Sequence, residues 1–138
     1  LEVVAVNWMQ NLHTLALLDL DPTGQGTGEQ QPMTPADAAN AMRLMWTKLK
    51  DAESADGPSA DIVERSKHAM IEQFLDRSID DVRVVLCSDM GTPDQAMVTT
   101  TMGELGQEKG GRLNCLVFPA GTGEIEEKAL ARWERGAR

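Results

Sequence analysis

The polar residues of this sequence that could do chemistry lie beside apolar runs. His13 begins one such run, and Asp19 lies near its end. Ser88-Asp89 follows a second run, and Gly121-Thr122-Gly123 precedes a predicted helix. A histidine can act as a general base, an acid at a strand end can hold a cofactor, and a glycine-rich turn before a helix can bind phosphate.

Structural interpretations of these candidates compete with the functional ones. His13 has only Leu12, Thr14 and Leu15 beside it, so we favour a histidine that hydrogen-bonds the backbone. The Gly-Thr-Gly segment lacks a dinucleotide or P-loop fingerprint, and the acidic residues after it would repel phosphate, so we favour a plain turn. Ser88-Asp89 can cap a helix or contact a ligand. No nucleophile and base can be paired from spacing alone.

The two cysteines, Cys87 and Cys115, each lie inside an apolar run. This placement predicts buried free thiols in a reducing compartment, with a disulfide between neighbouring strands as the alternative. No Cys-x-x-Cys or histidine-rich spacing suggests a zinc site.

Charge and length limit the classes of function. The 138 residues carry a net charge of −9, which disfavours nucleic acid and anionic lipid as partners. No apolar run is long enough to span a membrane, and the N-terminus lacks the layout of a signal peptide. We expect one soluble domain over residues 1–138. Because the chain starts at Leu1 within a predicted helix, we also expect a fragment of a longer protein.

Hydrophobic periodicity predicts alternating helices and strands. The predicted helices cover residues 2–10, 34–49, 61–75, 94–105 and 124–135, and the predicted strands cover 12–20, 82–87 and 113–118. Asn11 and Thr34 are the expected end of the first helix and start of the second. The alternation predicts an α/β fold with a largely parallel or mixed sheet flanked by helices. Ligands would gather at three strand ends: Leu18-Asp19, Ser88 to Gly91, and Phe118 to Gly121.

Several segments resemble, in order, the C-terminal half of the diphthine synthases, which belong to the tetrapyrrole methylase superfamily. The most specific is Leu12-His13-Thr14-Leu15, continuing to Leu18-Asp19-Leu20, which resembles the family's LHTL and LDI strand. The weaker matches are Met33-Thr34 with Ala38, Val84-Val85-Leu86 with Gly91, and Leu116-Val117-Phe118-Pro119 with Glu126 and Leu130.

The resemblance implies a cytosolic, homodimeric methyltransferase. Such enzymes transfer methyl groups from S-adenosylmethionine to the modified histidine of translation elongation factor 2, the diphthamide precursor. The cofactor lies between two α/β domains, and nothing here matches the family's N-terminal, cofactor-binding domain. We therefore expect this chain alone to be inactive.

The resemblance also implies three cofactor-binding positions. Leu18 matches a cofactor-contacting leucine, Met90 falls at the contact before the turn glycine, and Asn114 falls where the family has a contacting histidine. Asn114 for histidine, and Ser88-Asp89-Met90 for small and basic residues, put the substrate in doubt more than the fold. The alternatives are a non-catalytic partner subunit or binding module, and a related methylase acting on a small molecule.

Overall fold

The computed structural model describes residues 1–18, 32–55 and 61–135, and these residues form an α/β layer. The elements in chain order are α1 (Glu2–Met9), β1 (Thr14–Leu17), α2 (Pro35–Ala55), α3 (Ile62–Leu75), β2 (Arg83–Ser88), β3 (Ala96–Thr101), β4 (Asn114–Phe118) and α4 (Glu124–Arg132). Short 3-10 helices lie at Ile79–Asp81 and Leu105–Gln107. The expected α/β class, with a sheet flanked by helices, is confirmed.

The residues predicted to end α1 and to begin α2 do so in the structure. Asn11 adopts the left-handed conformation (φ 61°) just after α1. At the start of α2, the Asp37 amide donates to the Thr34 hydroxyl (3.1 Å), and the Thr34 amide donates to the Asp37 carboxylate (3.2 Å). The hydroxyl of Thr34 also lowers the pKa of that carboxyl. This reciprocal cap, with Pro35 in the first turn, begins the helix at the predicted residue.

One predicted helix is a strand. Residues 94–105 were expected to be helical, but Ala96–Thr101 is β3, which pairs with β2 in antiparallel register. The run Val98-Thr99-Thr100-Thr101 is β-branched throughout and prefers extended backbone. Between the strands, Asp89 (φ 49°) and Gly91 (φ 83°) turn the chain within seven residues. That connection is too short for a parallel crossover, so it imposes a hairpin.

The sheet order is β1-β4-β2-β3, and all three pairs are antiparallel. A single parallel bridge joins Thr99 to Glu134 at the outer edge of β3. The strand directions are thus more antiparallel than helix–strand alternation suggested, because β3 replaces a predicted helix. In this arrangement β1 and β2 point the same way, and β4 lies between them in the opposite direction.

The two faces of the sheet are covered unequally. One face packs against α1, α2 and α3 around a core built on fully buried Phe74, Val84, Leu86 and Leu116. The other face carries α4, and the Thr99 hydroxyl donates to the carbonyl of Leu130 (2.9 Å). This face also leaves large apolar side chains in solvent: Leu15 is 61% exposed and Leu17 is 79% exposed.

Candidate functional site

The three residues that the family resemblance selects lie at one end of the sheet. The Leu18 amide donates to the Asn114 carbonyl (3.2 Å), which continues the β1–β4 ladder. Asn114 pairs with Ser88 across β2 and β4, and Met90 follows Ser88 by two residues. We call this region the Asn114 end and define it by Leu18, Ser88, Asp89, Met90, Gly111 and Asn114.

Asn114 is the structural centre of this end. Its side-chain oxygen accepts from the Ser88 hydroxyl (2.9 Å) and from the Gly111 amide (2.9 Å). Its side-chain nitrogen donates to the carbonyls of Gly111 (3.1 Å) and Met33 (3.3 Å). The residue is 7% exposed. Because both ends of its amide are occupied by the protein, Asn114 positions its neighbours and has little capacity left to bind a ligand directly.

Asp89 holds the loop before β4 in place through hydrogen bonds. Its carboxylate accepts from the backbone amides of Arg112 (3.2 Å) and Leu113 (2.9 Å), and its own amide donates to the Leu113 carbonyl (2.8 Å). Gly111 allows this approach, because a Cβ there would overlap the Asp89 carboxylate. The helix-cap role expected for Ser88-Asp89 is wrong, because a strand follows and both side chains bind the 111–114 segment; the ligand-contact role stays a prediction.

Leu18 and Met90 differ from Asn114 in what they offer to a ligand. Leu18 is half-buried and packs against the core, and Met90 is 48% exposed in the turn after β2. Neither side chain has a group that could exchange a proton. These two residues can therefore supply apolar contact, and the surrounding turns can supply backbone donors and acceptors.

An open groove of about 820 Å³ lies at the same end of the sheet. Its lining includes Ser88, Asp89 and Gly111 from the Asn114 end, together with Lys109 and Arg112. Met90 and Asn114 adjoin these lining residues, and Leu18 hydrogen-bonds Asn114, but none of the three lines the groove. The volume lies in the range of about 300–1,000 Å³ that is usual for small-molecule sites.

The third predicted strand end lies elsewhere. Because β4 runs against β1 and β2, Phe118 and the residues after it come to the opposite end of the sheet. The three strand ends named as ligand positions therefore do not lie together, and binding at any of them stays a prediction. We call this second region the His13 end and define it by His13, Arg83, Ala120, Thr122, Glu126 and Glu127.

His13 has a structural role at its end of the sheet, as the sequence favoured. Its Nδ1 accepts from the Ala120 amide (2.9 Å), and its Nε2 lies 3.2 Å from the Glu126 carboxylate. The Gly123 amide donates to Glu126 (2.6 Å), and this bond, followed by the one to His13, lowers the pKa of the Glu126 carboxyl. The Glu126 carboxylate of α4 therefore already occupies the Gly123 amide at the start of the helix. This supports the plain-turn interpretation of Gly121-Thr122-Gly123.

A charged pair completes the His13 end. The Arg83 guanidinium donates to both carboxylate oxygens of Glu127, at 2.6 and 2.9 Å. These bonds, and one from the Thr122 hydroxyl, lower the pKa of the Glu127 carboxyl to about 2. The pair joins β2 to α4 across the end of the sheet.

The other expectations from the sequence concern Asp19, the two cysteines, metal binding and membrane crossing. Asp19 lies outside the described residues. Cys87 and Cys115 are free, as expected, but half-buried instead of buried. Within residues 1–18, 32–55 and 61–135, no group of three or more histidine, cysteine or acidic side chains could hold a metal ion. No helix of this part of the chain is long and apolar enough to cross a membrane.

Sequence reasoning missed Asp89 and Gly111 as residues that build the Asn114 end. The available signal was the pair Gly110-Gly111 beside a strand, since Gly110 has positive φ (65°) and Gly111 tolerates no side chain. The pair lies between the predicted helix over residues 94–105 and the predicted strand over residues 113–118, where glycines are ordinary in a connecting loop. It could not be linked to Asp89 without the β2–β4 register that brings them together.

No protein-family model and no curated protein matches the sequence. Several solved structures match the fold, among them the following two. One is described as a "putative diphthine synthase" from Entamoeba histolytica, with 23% identity, a TM-score of 0.62, and coverage of 96% of this chain. The other is a conserved hypothetical protein from Aeropyrum pernix K1, with 18% identity, a TM-score of 0.64, and coverage of 98% of this chain.

The match covers 43% of the first structure and 39% of the second, so this chain spans about two fifths of their length. The fold that the sequence motifs implied is therefore confirmed over nearly the whole chain. The described residues have the α/β fold of a part of a protein described as a diphthine synthase.

Proposed function

We propose that this chain is part of an S-adenosylmethionine-dependent methyltransferase of the diphthine synthase type. The observation that carries the proposal is the fold match over 96% of the chain to a protein described as a diphthine synthase. The ordered motifs from Leu12 to Leu130 support it independently, because they rest on residue identities and not on the backbone path. The substrate would be the modified histidine of translation elongation factor 2, and the protein would act as a cytoplasmic homodimer.

In this proposal the Asn114 end forms one side of the cofactor site. Leu18 and Met90 contribute apolar surface, and Asn114 acts as a positioning residue through its bonds to Gly111 and to the Leu18 backbone. A second domain, supplied by the rest of a longer chain or by another chain, would form the other side. This chain alone would then be inactive. Methyl transfer from a sulfonium depends mainly on in-line positioning of the acceptor, so a site without an acid–base pair suits this chemistry.

The test is calorimetric titration of S-adenosylhomocysteine into the chain, alone and with the N-terminal half of the Entamoeba protein added. We expect binding only in the presence of the second half. Leu18→Ala should weaken it about tenfold, because the truncation removes apolar contact worth roughly 1.5 kcal/mol. Leu113→Ala, an exposed neighbour outside the proposed contacts, is the matched control and should bind normally. A folded mixture that does not bind would overturn the proposed cofactor site.

A second reading is a non-catalytic partner subunit or binding module. The open sheet face favours it, since Leu15 and Leu17 are more than half exposed where a partner could cover them. The two readings separate in a methylation assay of the chain complemented with the N-terminal half of the Entamoeba protein, with labelled S-adenosylmethionine and elongation factor 2 carrying the precursor histidine. Label on the factor supports the enzyme, while label only on a small molecule supports a related methylase. No transfer, with intact association, supports the binding module.

A further inference from the structure

A row of four side chains crosses the sheet on the face away from the core. The row is Leu17, Cys115, Cys87 and Met97, one residue from each strand in the order β1, β4, β2, β3. The two cysteines are therefore direct cross-strand partners at the centre of the sheet. Cys87 is directly next to Ser88 and Cys115 is directly next to Asn114, so the two cysteines lie just inside the Asn114 end.

Helix α4 covers the neighbouring row of side chains and not the row that contains the two cysteines. That next row, toward the His13 end, contains Val85 and Val117, which line a small cavity together with Ala129 and Leu130 of α4. The cysteine row lies beyond this cover: Leu17, beside Cys115, is 79% exposed, and both cysteines are half-buried. A small reagent in solution can therefore approach the two sulfur atoms from the open face.

The backbone spacing suits a bond between the two sulfur atoms. The amide of Asp89 donates to the Leu113 carbonyl, which makes Asp89 and Leu113 a hydrogen-bonded pair. Pairs alternate along an antiparallel ladder, so Cys87 and Cys115 are also a hydrogen-bonded pair, with Cα atoms about 5.5 Å apart. This separation lies within the range of about 4.4–6.8 Å that disulfides span.

The two thiols also interact electrostatically. Burial, and secondarily the neighbouring sulfur of Cys115, raises the pKa of the Cys87 thiol to about 11. Cys87 is therefore almost entirely protonated at neutral pH and can donate a hydrogen bond to the other sulfur. A thiol in this state is a weak nucleophile until its proton is removed.

We propose that Cys87 and Cys115 form a dithiol site that reacts with low-molecular-weight disulfides and closes into a cross-strand disulfide. In the first step the Cys115 thiol loses its proton and its sulfur attacks a small disulfide, forming a mixed disulfide and releasing one small thiolate, which takes up a proton. In the second step the Cys87 sulfur loses its proton and attacks the Cys115 sulfur. The mixed disulfide breaks, and the second small thiolate leaves and takes up a proton. The two protein thiols are oxidised, and the small disulfide is reduced to two thiols.

The protonation of Cys87 sets the pH dependence of this reaction. Closure requires the Cys87 thiolate, so its rate should rise about tenfold for each pH unit below the pKa of about 11. Near neutral pH the mixed disulfide should accumulate, and at higher pH the closed form should dominate. Excess small thiol reverses both steps. The site does not depend on the proposed methyltransferase function, and its test involves no cofactor.

The experiment treats the folded chain with oxidised glutathione at about pH 7 and about pH 9. Acid quenching, alkylation and non-reducing peptide mass spectrometry then follow the products. We expect a glutathione adduct on Cys115 at the lower pH, and a Cys87–Cys115 linked peptide from monomeric protein at the higher pH. Two alkylatable thiols that persist at both pH values, while the urea-unfolded chain oxidises, would overturn the proposal. A disulfide found only between chains would also overturn it.

Matched variants assign the two steps. Cys87→Ser should stop at a single, stable glutathione adduct on Cys115 at both pH values. Cys115→Ser should react more slowly than Cys87→Ser near neutral pH, because it keeps only the protonated Cys87. Equal adduct formation by the two variants would contradict the assigned order of attack. The wild-type measurement does not depend on how either variant folds.

Discussion

The two ends of the sheet use similar polar residues in different ways. At the Asn114 end, the buried Asn114 amide makes four hydrogen bonds to three different segments. The Asp89 carboxylate binds the loop before β4. At the His13 end, the contacts join half-exposed side chains: His13 hydrogen-bonds Glu126, and Arg83 forms an ion pair with Glu127. A buried neutral network fixes backbone positions, while exposed pairs add little stability and respond to pH.

The largest expected effect comes from removing the amide of Asn114. Asn114→Ala leaves the Ser88 hydroxyl and the Gly111 backbone without their partners, so we expect a loss of about 2–3 kcal/mol in the free energy of unfolding. Urea denaturation followed by circular dichroism measures it. Ser88→Ala is the control and should cost only about 1 kcal/mol, since Asn114 keeps its bond to Gly111. A loss of less than about 0.5 kcal/mol for Asn114→Ala would remove the distinction between the two ends.

A smaller effect is expected at the opposite end. His13→Ala removes the acceptor of the Ala120 amide, but water can reach this region, so we expect a loss of about 1 kcal/mol. The same denaturation experiment measures it. His13→Asn, which can present an oxygen to that amide, should recover part of the loss. If His13→Ala lowers the free energy of unfolding more than Asn114→Ala does, the His13 end contributes more to stability than the Asn114 end, and the comparison is contradicted.

The ion pair at the His13 end predicts an acid response. The pKa of Glu127 is lowered from 4.5 to about 2 in the folded protein, chiefly by Arg83 and then by Thr122. A lowered carboxyl pKa contributes stability that is fully present above 4.5 and is lost as the pH falls toward 2. Arg83→Gln should therefore flatten the decline in stability across this pH range and move the carboxyl titration of Glu127 upward. An NMR titration of that carboxyl measures the change, and an unchanged midpoint would contradict the role of Arg83.

The smallest effect on stability is expected for Met90, which is 48% exposed. Met90→Ala should change the free energy of unfolding by no more than about 0.5 kcal/mol. It should nevertheless weaken S-adenosylhomocysteine binding about fivefold in the complemented protein, since it removes roughly 1 kcal/mol of apolar contact. Calorimetry measures the binding, and Met45→Ala, a partly exposed methionine on α2, is the matched control. Equal binding by wild type and Met90→Ala would remove Met90 from the proposed site.

Local signals in the sequence predicted much of the fold. Helix α3 and strands β2 and β4 lie within one or two residues of their predicted bounds, and the Thr34 cap and Asn11 turn are confirmed. These features depend on periodicity and on capping chemistry, which are properties of short segments. Helix α2 extends to Ala55, beyond its predicted end, and Glu53 in its last turn contacts His68 of α3 (2.8 Å).

The features that sequence analysis missed depend on contacts between distant segments. Strand β3 is the exception: its β-branched run from Val98 to Thr101 is a local signal for extended backbone, and the helix predicted over residues 94–105 did not take it into account. The structural role of Asn114 depends on Ser88, Gly111 and Met33, which are brought together by strand register and chain path. Residue type and position selected three residues that lie together at one end of the sheet, but did not reveal what its central amide binds.

The proposal that the Asn114 end takes part in cofactor binding is tested most directly by NMR mapping. The labelled chain, complemented with the N-terminal half of the Entamoeba protein, is titrated with S-adenosylhomocysteine while backbone amide signals are followed. The account predicts that the largest shifts on ligand addition fall on Leu18, Met90, Gly111 and Asn114, while His13 and Ala120 barely move. Ligand-dependent shifts concentrated at the His13 end, or absent from both ends in a complex shown to bind the ligand, would contradict it.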